Sequence, residues 1–336
     1  FLNKTIAEFT SDNIGMVQTG WDHLNLDYSI LTKTQAFGLD AHFTIEQSGR
    51  NNAGLLINFN GTAGIWRKTC IEDAGGWEHD TLTEDLDLSY RAQLKGWDFK
   101  FIEDIRTPAE LPVEMSAIKS QQFRWTKGSV ETAKKIIPSF VKSDLPFKQK
   151  LFGLLHLLNP FIFVFMFVTG VLSIPLLYIK NQNNQFDTYF NFASVFILGF
   201  LIMIVFHWIT SRSILHRKLS FWEFIKLFPT FCSISLGLSY HNTKAVLEGI
   251  IGKKTPFIRT PKFNVRKLKD QFLNNKYLTN RLSPSTFTEI LLSVYFFSGI
   301  YLAFYFNDYG LLPFHLMLFV GFSMISCYSI AHARAK

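Results

Sequence analysis

Charge is scarce in this chain. Of its 336 residues only 18% are Asp, Glu, Lys or Arg, whereas 48% are hydrophobic and 36 are Phe. That balance excludes a wholly soluble globular protein and points to membrane-embedded helices beside a water-facing part. Cysteine is scarcer still: Cys70, Cys232 and Cys327 stand far apart, two of them in apolar segments. This excludes a disulfide framework and a paired-cysteine metal motif, and leaves the three thiols as packing residues. Internal repeats and low-complexity tracts are lacking, as are an initial Met and a signal sequence. The opening residues, from Phe1, read as the middle of an element, so a fragment of a longer protein is expected. Acids are fewer than bases, 26 against 34, and the net charge of +8 favours anionic lipid and phosphorylated substrates. Nothing in it asks for nucleic acid.

What the chain does have is long uncharged runs, and they are unevenly placed. Residues 1–150 hold most of the acids and read as a soluble α/β part, and residues 151–336 as a membrane domain. Leu151–Ile179 is an uncharged run of 29 residues and Thr188–Ser211 one of 24, each longer than the roughly 20 residues a helix needs to cross a bilayer. Ile290–Phe306 and Tyr309–His332 meet at "FNDYG", a turn composition that suits two antiparallel helices. Spans are therefore expected over about 153–179, 188–211, 286–307 and 309–332. Basic residues gather in "SRSILHRK", in 252–281 and in the final "HARAK", which the positive-inside rule assigns to the cytoplasm. Placing the first two of these on one side leaves residues 219–250 as an interfacial helix rather than a span. The protein is thus expected in a cell or inner membrane, multi-pass, with its soluble part cytoplasmic. That topology also argues against glycosylation at the "NKT" and "NGT" triplets of Asn3 and Asn60.

Within the soluble part, "GGWEHDTLTEDLDLSYRAQLKGWDFKFIED" carries the clearest local grammar. Thr83 is a candidate N-cap, Asp85 to Lys95 has helical apolar spacing, Gly96 closes the helix and "DFKFIE" alternates as a strand does. Acids at a helix start complement the helix dipole. They also suit a general base, since a carboxylate fixed there can take a proton from a substrate hydroxyl. Glu84 and Asp85 are neighbours and point about 100° apart on a helix, which disfavours a two-carboxylate hydrolase and favours one base with an anion stabiliser.

Such a stabiliser follows in "KSQQFRWTKGS". Gln121, Arg124 and Trp125 are spaced i, i+3, i+4, one face of a helix. Arg offers a planar fork for phosphate oxygens, and Trp a flat apolar surface for a sugar ring. The competing reading, a basic aromatic anchor at the lipid headgroups, accounts for Trp125 but not for Gln121.

"TED" at Thr83–Asp85 followed about 36 residues later by Q-x-x-R-W at Gln121–Trp125, and then by apolar helices, resembles the membrane-bound family-two glycosyltransferases that include cellulose synthase and the cellulose-synthase-like mannan and glucomannan synthases. "NFNGTAGIWRK" at Asn58–Lys68 is similar to that family's acceptor-site segment, and "LDYSILTKTQAFGLDAHF" at Leu26–Phe43 resembles the stretch before it. "FIRTPK" at Phe257–Lys262 is similar to the family's gating loop F-x-V-T-x-K, with Arg259 in place of Val. The bland alternative for that loop is a solvated basic linker.

The resemblance implies the C-terminal part of a GT-A-type α/β domain followed by a transmembrane bundle. It implies Asp85 as the catalytic base, Glu84 beside it in the substrate site, Arg124 and Gln121 at the diphosphate or nearby groups, and Trp125 under the acceptor end of the glycan. It further implies Asn60, Gly61 and Thr62 at the acceptor site, with Phe257, Thr260 and Lys262 closing over the nucleotide. The implied donor is a nucleotide-sugar, UDP-glucose or GDP-mannose, and the acceptor a glycan or a lipid. A Mg²⁺ or Mn²⁺ ion is implied too, its aspartate ligands expected in a segment preceding Phe1 and none within this stretch. The reaction would be inverting hexosyl transfer to a growing polysaccharide, coupled to export. Transfer to a lipid acceptor without processivity, and a non-catalytic sugar-nucleotide-binding subunit, are the alternatives.

Overall fold

The computed structural model describes all residues except 183–187, 189–194, 196, 215–217, 266–281 and 335–336. Strand β1 (Ile14–His23) is buried along its first seven residues, as a strand covered on both faces must be. It pairs antiparallel with β2 (Gly64–Trp66) and parallel with β3 (Asp98–Ala109), giving a mixed three-stranded sheet in the order β2-β1-β3. The parallel register slips between Thr19 and Gly20.

Helices surround this sheet: α1 (Leu2–Ile6), α2 (Ile30–Ala41), α3 (Ser48–Asn52), α4 (Lys68–Asp73), α5 (Glu84–Leu94) and α6 (Met115–Lys142). Ser29 and Thr32 form a reciprocal capping box that starts α2. That helix runs directly into one π-helical stretch, His42–Gln47, before α3. The expected helix after Thr83 is α5, and Gly96 follows its end with φ +91°. Thr83 holds the N-cap position without capping: its hydroxyl lies 3.1 Å from that of Thr132 on α6, and the expected side-chain cap is not made. Leu86 and Tyr90 of α5 pack on Ala133, Ile136 and Phe140 of α6, so the two motif-bearing helices share one core.

The C-terminal half comprises α7 (Phe147–Leu157), α8 (Ile162–Gln182), α9 (Ile197–Ser213), α10 (Phe221–Ile251), α11 (Pro284–Tyr305) and α12 (Leu312–Arg334). Among the described residues, three stretches are long and apolar enough to cross a membrane: Asn159–Gln182, Pro284–Tyr305 and Leu312–Arg334. The expected helix over 153–179 is not continuous. Asn159–Phe161 forms a 3₁₀ turn containing Pro160, whose missing N–H and fixed ring interrupt the α-helical ladder. The part before that turn, α7, packs through Leu157 on the α5–α6 core, and His156 Nδ1 lies 2.8 Å from the Tyr90 hydroxyl. Of the stretch expected over 188–211, residues 189–194 and 196 lie outside the described residues, and α9 has 17 residues. The "FNDYG" turn joins α11 to α12 through Asn307 at φ 53°, and Asp308 is bound by Lys180 at 2.6 Å.

The helix expected over 219–250 is α10, set by a Ser220–Glu223 capping box and ended by Gly252. It bridges the two halves: Ile234 and Leu238 pack with Leu31 of α2, Met115 and Ile118 of α6 and Ile325 of α12. A buried ion pair reinforces the junction. Lys119 of α6 meets Glu289 of α11 at 2.7 Å and Ser329 of α12 at 2.8 Å, a pairing that breaking on one side would leave as an uncompensated buried charge.

Candidate active site

The T-E-D segment is docked on α6 one turn beyond Arg124. Gly128 permits this, because a Cβ there would lie 2.6 Å from Thr83 Cγ2 and 2.8 Å from the backbone of Leu82 and Thr83. Glu131 accepts the Leu82 amide at 3.0 Å. Asp85 follows at the start of α5, where its Oδ1 accepts the Leu86 amide at 2.9 Å. Burial pushes its carboxyl up to about 6, aided by the charge of Glu84, while the Leu86 amide and the Arg124 guanidinium pull the other way. A carboxylate of that pKa is a stronger base than an ordinary Asp and still ionised at neutral pH.

Opposite Asp85 stands the turn Asn60–Thr62. Gly61 has φ +75°, and a Cβ on it would lie 3.0 Å from Asp85 Oδ2; Ala63 follows at φ 61°. A conformation that unfavourable persists only where its surroundings over-determine it, and here they do. Ser89 and Gln93 on α5 bind the main chain of Phe59 and Ile57 at 2.9 Å and 2.8–3.1 Å. Fully buried Gln18 of β1 accepts the Asn60 amide at 3.1 Å and donates to the Thr62 carbonyl at 3.0 Å. The Asn60 side chain faces Gln47 and His42 at 2.8 and 3.1 Å, so its polar atoms serve the turn; Thr62 is exposed.

Arg124 links the acids to the downstream loop. Its Nη1 donates to the Ile258 carbonyl at 2.8 Å, its Nη2 to Thr260 Oγ1 at 3.4 Å, and its guanidinium lies 4.6 Å from the centre of the Phe257 ring. Burial lowers its pKa, and the charges of Glu84 and Asp85 oppose that. Lys262 lies farther along, donating to the Glu110 carbonyl at 2.6 Å. The Glu110 carboxylate accepts the amides of Phe263, Asn264 and Val265 at 2.9, 3.2 and 3.3 Å, and Lys127 binds Lys253 and Thr255 at the loop's start. The expected loop over 252–281 is thus anchored through Val265; residues 266–281 lie outside the described residues.

Gln121 and Trp125 diverge from Arg124. They line a cavity of about 220 Å³ between α2, α6, α10 and the start of α8, together with Gln35, Gln122, Ser235 and Asn242. Neither polar side-chain atom of fully buried Asn242 has a hydrogen-bond partner, an arrangement that costs free energy unless a ligand or water completes it. Sequence reasoning gave Asn242 no role in this site. It missed Gly128, Gln18, Ser89 and Gln93 altogether.

A divalent cation requires several carboxylates converging on one point. Among the described residues, Glu78, Asp80 and Asp87 are grouped closely enough to hold one. The Lys135 ammonium already lies 2.6, 2.9 and 3.1 Å from these three carboxylates, and Arg91 pairs with Asp87 at 2.7 Å. The group is neutralised by the protein's own cations and does not fit a metal, so no chemical step is derived through one.

Residues 1–211 match the family model described as "Glycosyl transferase family group 2". The chain is 40% identical over 174 residues to "Probable glucomannan 4-beta-mannosyltransferase 4" of Oryza sativa subsp. japonica, covering 52% of this chain and 31% of that protein. To "Probable glucomannan 4-beta-mannosyltransferase 3" of the same species it is 32% identical over 255 residues, 75% of this chain and 44% of the relative. To "Glucomannan 4-beta-mannosyltransferase 7" of Arabidopsis thaliana it is 34% identical over 174 residues, 52% of this chain and 31% of the relative. The chain therefore spans less than half the length of these relatives.

Proposed function

Because the chain belongs to glycosyl transferase family group 2, we propose that its parent protein transfers a hexose from a nucleotide-sugar to a growing polysaccharide with inversion at the anomeric carbon. Asp85 is the general base. Its carboxylate removes the proton from an acceptor hydroxyl as that oxygen bonds to the anomeric carbon, and the bond from that carbon to the diphosphate oxygen breaks. Arg124 meets the negative charge that grows on the leaving diphosphate. Glu84 adds negative charge near Arg124, which opposes the lowering of its pKa by burial. The observation that carries this reading is one geometry: Asp85 at the start of α5 with its Oδ2 facing the Gly61 turn, and the Arg124 guanidinium within reach of its charge.

Gln121 and Trp125 serve the acceptor. Their cavity is smaller than the roughly 300–1,000 Å³ of drug-sized sites, which suits the end of a glycan rather than a whole nucleotide-sugar. Its amides and indole match hydroxyl groups and sugar-ring faces. Phe257, Thr260 and Lys262 form the lid over the donor, with Arg124 as its contact in the closed arrangement. The mannosyltransferase names of the relatives favour GDP-mannose over UDP-glucose. A divalent cation bound outside the described residues would supply further charge neutralisation to the diphosphate. The basic loops favour a cytoplasmic transferase domain, and the apolar helices beside the acceptor cavity favour export of the glycan as it grows.

The test is donor turnover in membranes carrying the full-length parent, with GDP-mannose and UDP-glucose supplied separately with Mg²⁺ or Mn²⁺, beside Asp85→Asn. Release of nucleotide diphosphate from one donor, lost in the variant, supports the assignment; a fully active variant overturns it. Long glycan product separates polysaccharide synthesis from single transfer to lipid.

A further inference from the structure

The π-helical stretch His42–Gln47 has no place in the chemistry above, yet its polar side chains converge on the turn that faces Asp85. Single π-helical insertions in α-helices are rare and concentrate at functional sites. The hydrogen bonds fix every orientation in the cluster. Gln47 Nε2 donates to the Asn58 carbonyl at 2.9 Å, which can only accept. The same Nε2 donates to Asn60 Oδ1 at 2.8 Å, so Asn60 presents its Nδ2 to His42 Nε2 at 3.1 Å. His42 Nε2 is then the acceptor, and its proton sits on Nδ1, which donates to Glu46 at 2.9 Å. Burial pushes the Glu46 carboxyl up, but the hydrogen bond from His42 and the positive charge of Arg50, 3.8 Å away, outweigh it and hold the carboxyl below the usual carboxylate range. Glu46 is therefore a permanent anion at neutral pH, suited to hold that tautomer.

Resting on the reading of Asp85 as base, we infer that His42, oriented by Glu46, is a positioning residue that sets the Asn60–Thr62 turn against Asp85. It does not touch the reacting atoms; it acts through the Asn60 amide. Without it, the strained Gly61–Ala63 backbone keeps its Gln18 bonds but loses the restraint on its leading residue, and the clearance between Gly61 and Asp85 is no longer fixed.

The experiment uses the full-length parent in membranes. His42→Ala, His42→Gln, Glu46→Gln, Asn60→Ala and the His42→Ala/Asn60→Ala pair are compared by steady-state kinetics and by hydrogen exchange of residues 58–64. His42→Ala is expected to lower kcat by about 10-fold to 10²-fold, the cost of misplacing a reacting geometry by about 1 Å, with donor KM unchanged. His42→Gln, whose side-chain oxygen can accept the Asn60 amide, recovers part of that loss, and Glu46→Gln shows an intermediate one. The double variant is expected to be no slower than Asn60→Ala, since both changes remove one interaction. Exchange over 58–64 should quicken in His42→Ala and return toward the parent rate in His42→Gln.

Parent-like kcat in His42→Ala overturns the inference, as does a His42→Ala loss that multiplies in full onto Asn60→Ala. Unchanged exchange also overturns it. If His42→Ala does not fold, His42→Gln and Glu46→Gln decide by the same criteria. If the parent itself turns over neither donor, the functional reading fails separately, while the exchange data still report whether His42 holds the turn.

Discussion

Replacing Gly128 by Ala separates the stability of this site from its alignment. The new methyl carbon would start 2.6 Å from Thr83 Cγ2 and 2.8 Å from main-chain atoms of Leu82 and Thr83. Thr83 cannot swing away freely, because its hydroxyl is held by Thr132 at 3.1 Å, and the main-chain atoms have no rotamer to change. The loop and α6 must part by roughly 0.8 Å before the closest contact reaches the 3.4 Å of ordinary packing. Overpacking of this kind costs about 1–3 kcal/mol, and Ala in a helix interior recovers about 1 kcal/mol relative to Gly. Net stability should fall by no more than about 2 kcal/mol. The displacement, however, passes directly to Asp85, two residues beyond Thr83, and a shift near 1 Å is worth about 10²-fold in rate. Thermal unfolding of the solubilised full-length protein and nucleotide diphosphate release in membranes together test this. The expected pattern is a small change in Tm with a loss of kcat near 10²-fold; a stable Gly128→Ala protein with parent-like kcat would refute the claim that this contact aligns the base.

Three further outcomes follow from the same contacts. Asp85 has a folded pKa above its ordinary value, so the neutral form is the one the fold favours. Its contribution to stability is complete below about pH 4 and is lost as pH rises through about 6. Asp85→Asn should therefore be inactive yet more stable than the parent at pH 7.5, by roughly 1–3 kcal/mol, with the difference vanishing near pH 4; equal stability at both pH values would contradict the burial argument. Arg124→Lys keeps the charge but loses the planar contact with Phe257 and the second donor, so a drop in kcat/KM of about 10-fold or more is expected, and unchanged kinetics would remove Arg124 from the leaving-group role. Glu110→Gln weakens the charge-assisted bonds to Phe263, Asn264 and Val265, and hydrogen exchange of 257–265 should quicken about 10-fold; unaltered exchange would show that the loop is held elsewhere.

The parts of the site visible in the sequence are those whose meaning is local. The Thr83–Asp85 triplet before a helical apolar pattern and the Q-x-x-R-W run could each be read within a dozen residues, and α5, β3 and the turn at Asn307 lie where that grammar put them. The shared face of Gln121, Arg124 and Trp125 was legible too, but not that it divides. Two of these residues turn to the cavity under α10 and the third to a loop more than 130 positions later, a split that helical spacing cannot carry.

Hidden from the sequence were residues whose chemistry is ordinary and whose partner is distant. Gln18, Ser89 and Gln93 look like polar residues of a strand and a helix face until the backbone of 57–62 arrives beside them. Gly128 looks like a poor helix former until Leu82 and Thr83 lie against it. His42 and Glu46 show the same limit. An i, i+4 His–Glu pair is common as a surface ion pair, and only the return of Asn60 to within 3.1 Å of the imidazole gives its tautomer a consequence. The break at Pro160 is the opposite case. The proline stood in plain view, but an uncharged run of 29 residues satisfies the length rule for a span whether or not its first third turns aside. Only the anchorage of α7 by Leu157 and His156 on the α5–α6 core shows that it does. That same anchorage ties α7 to the helix bearing Asp85, so the start of the C-terminal half and the proposed base share one hydrophobic core.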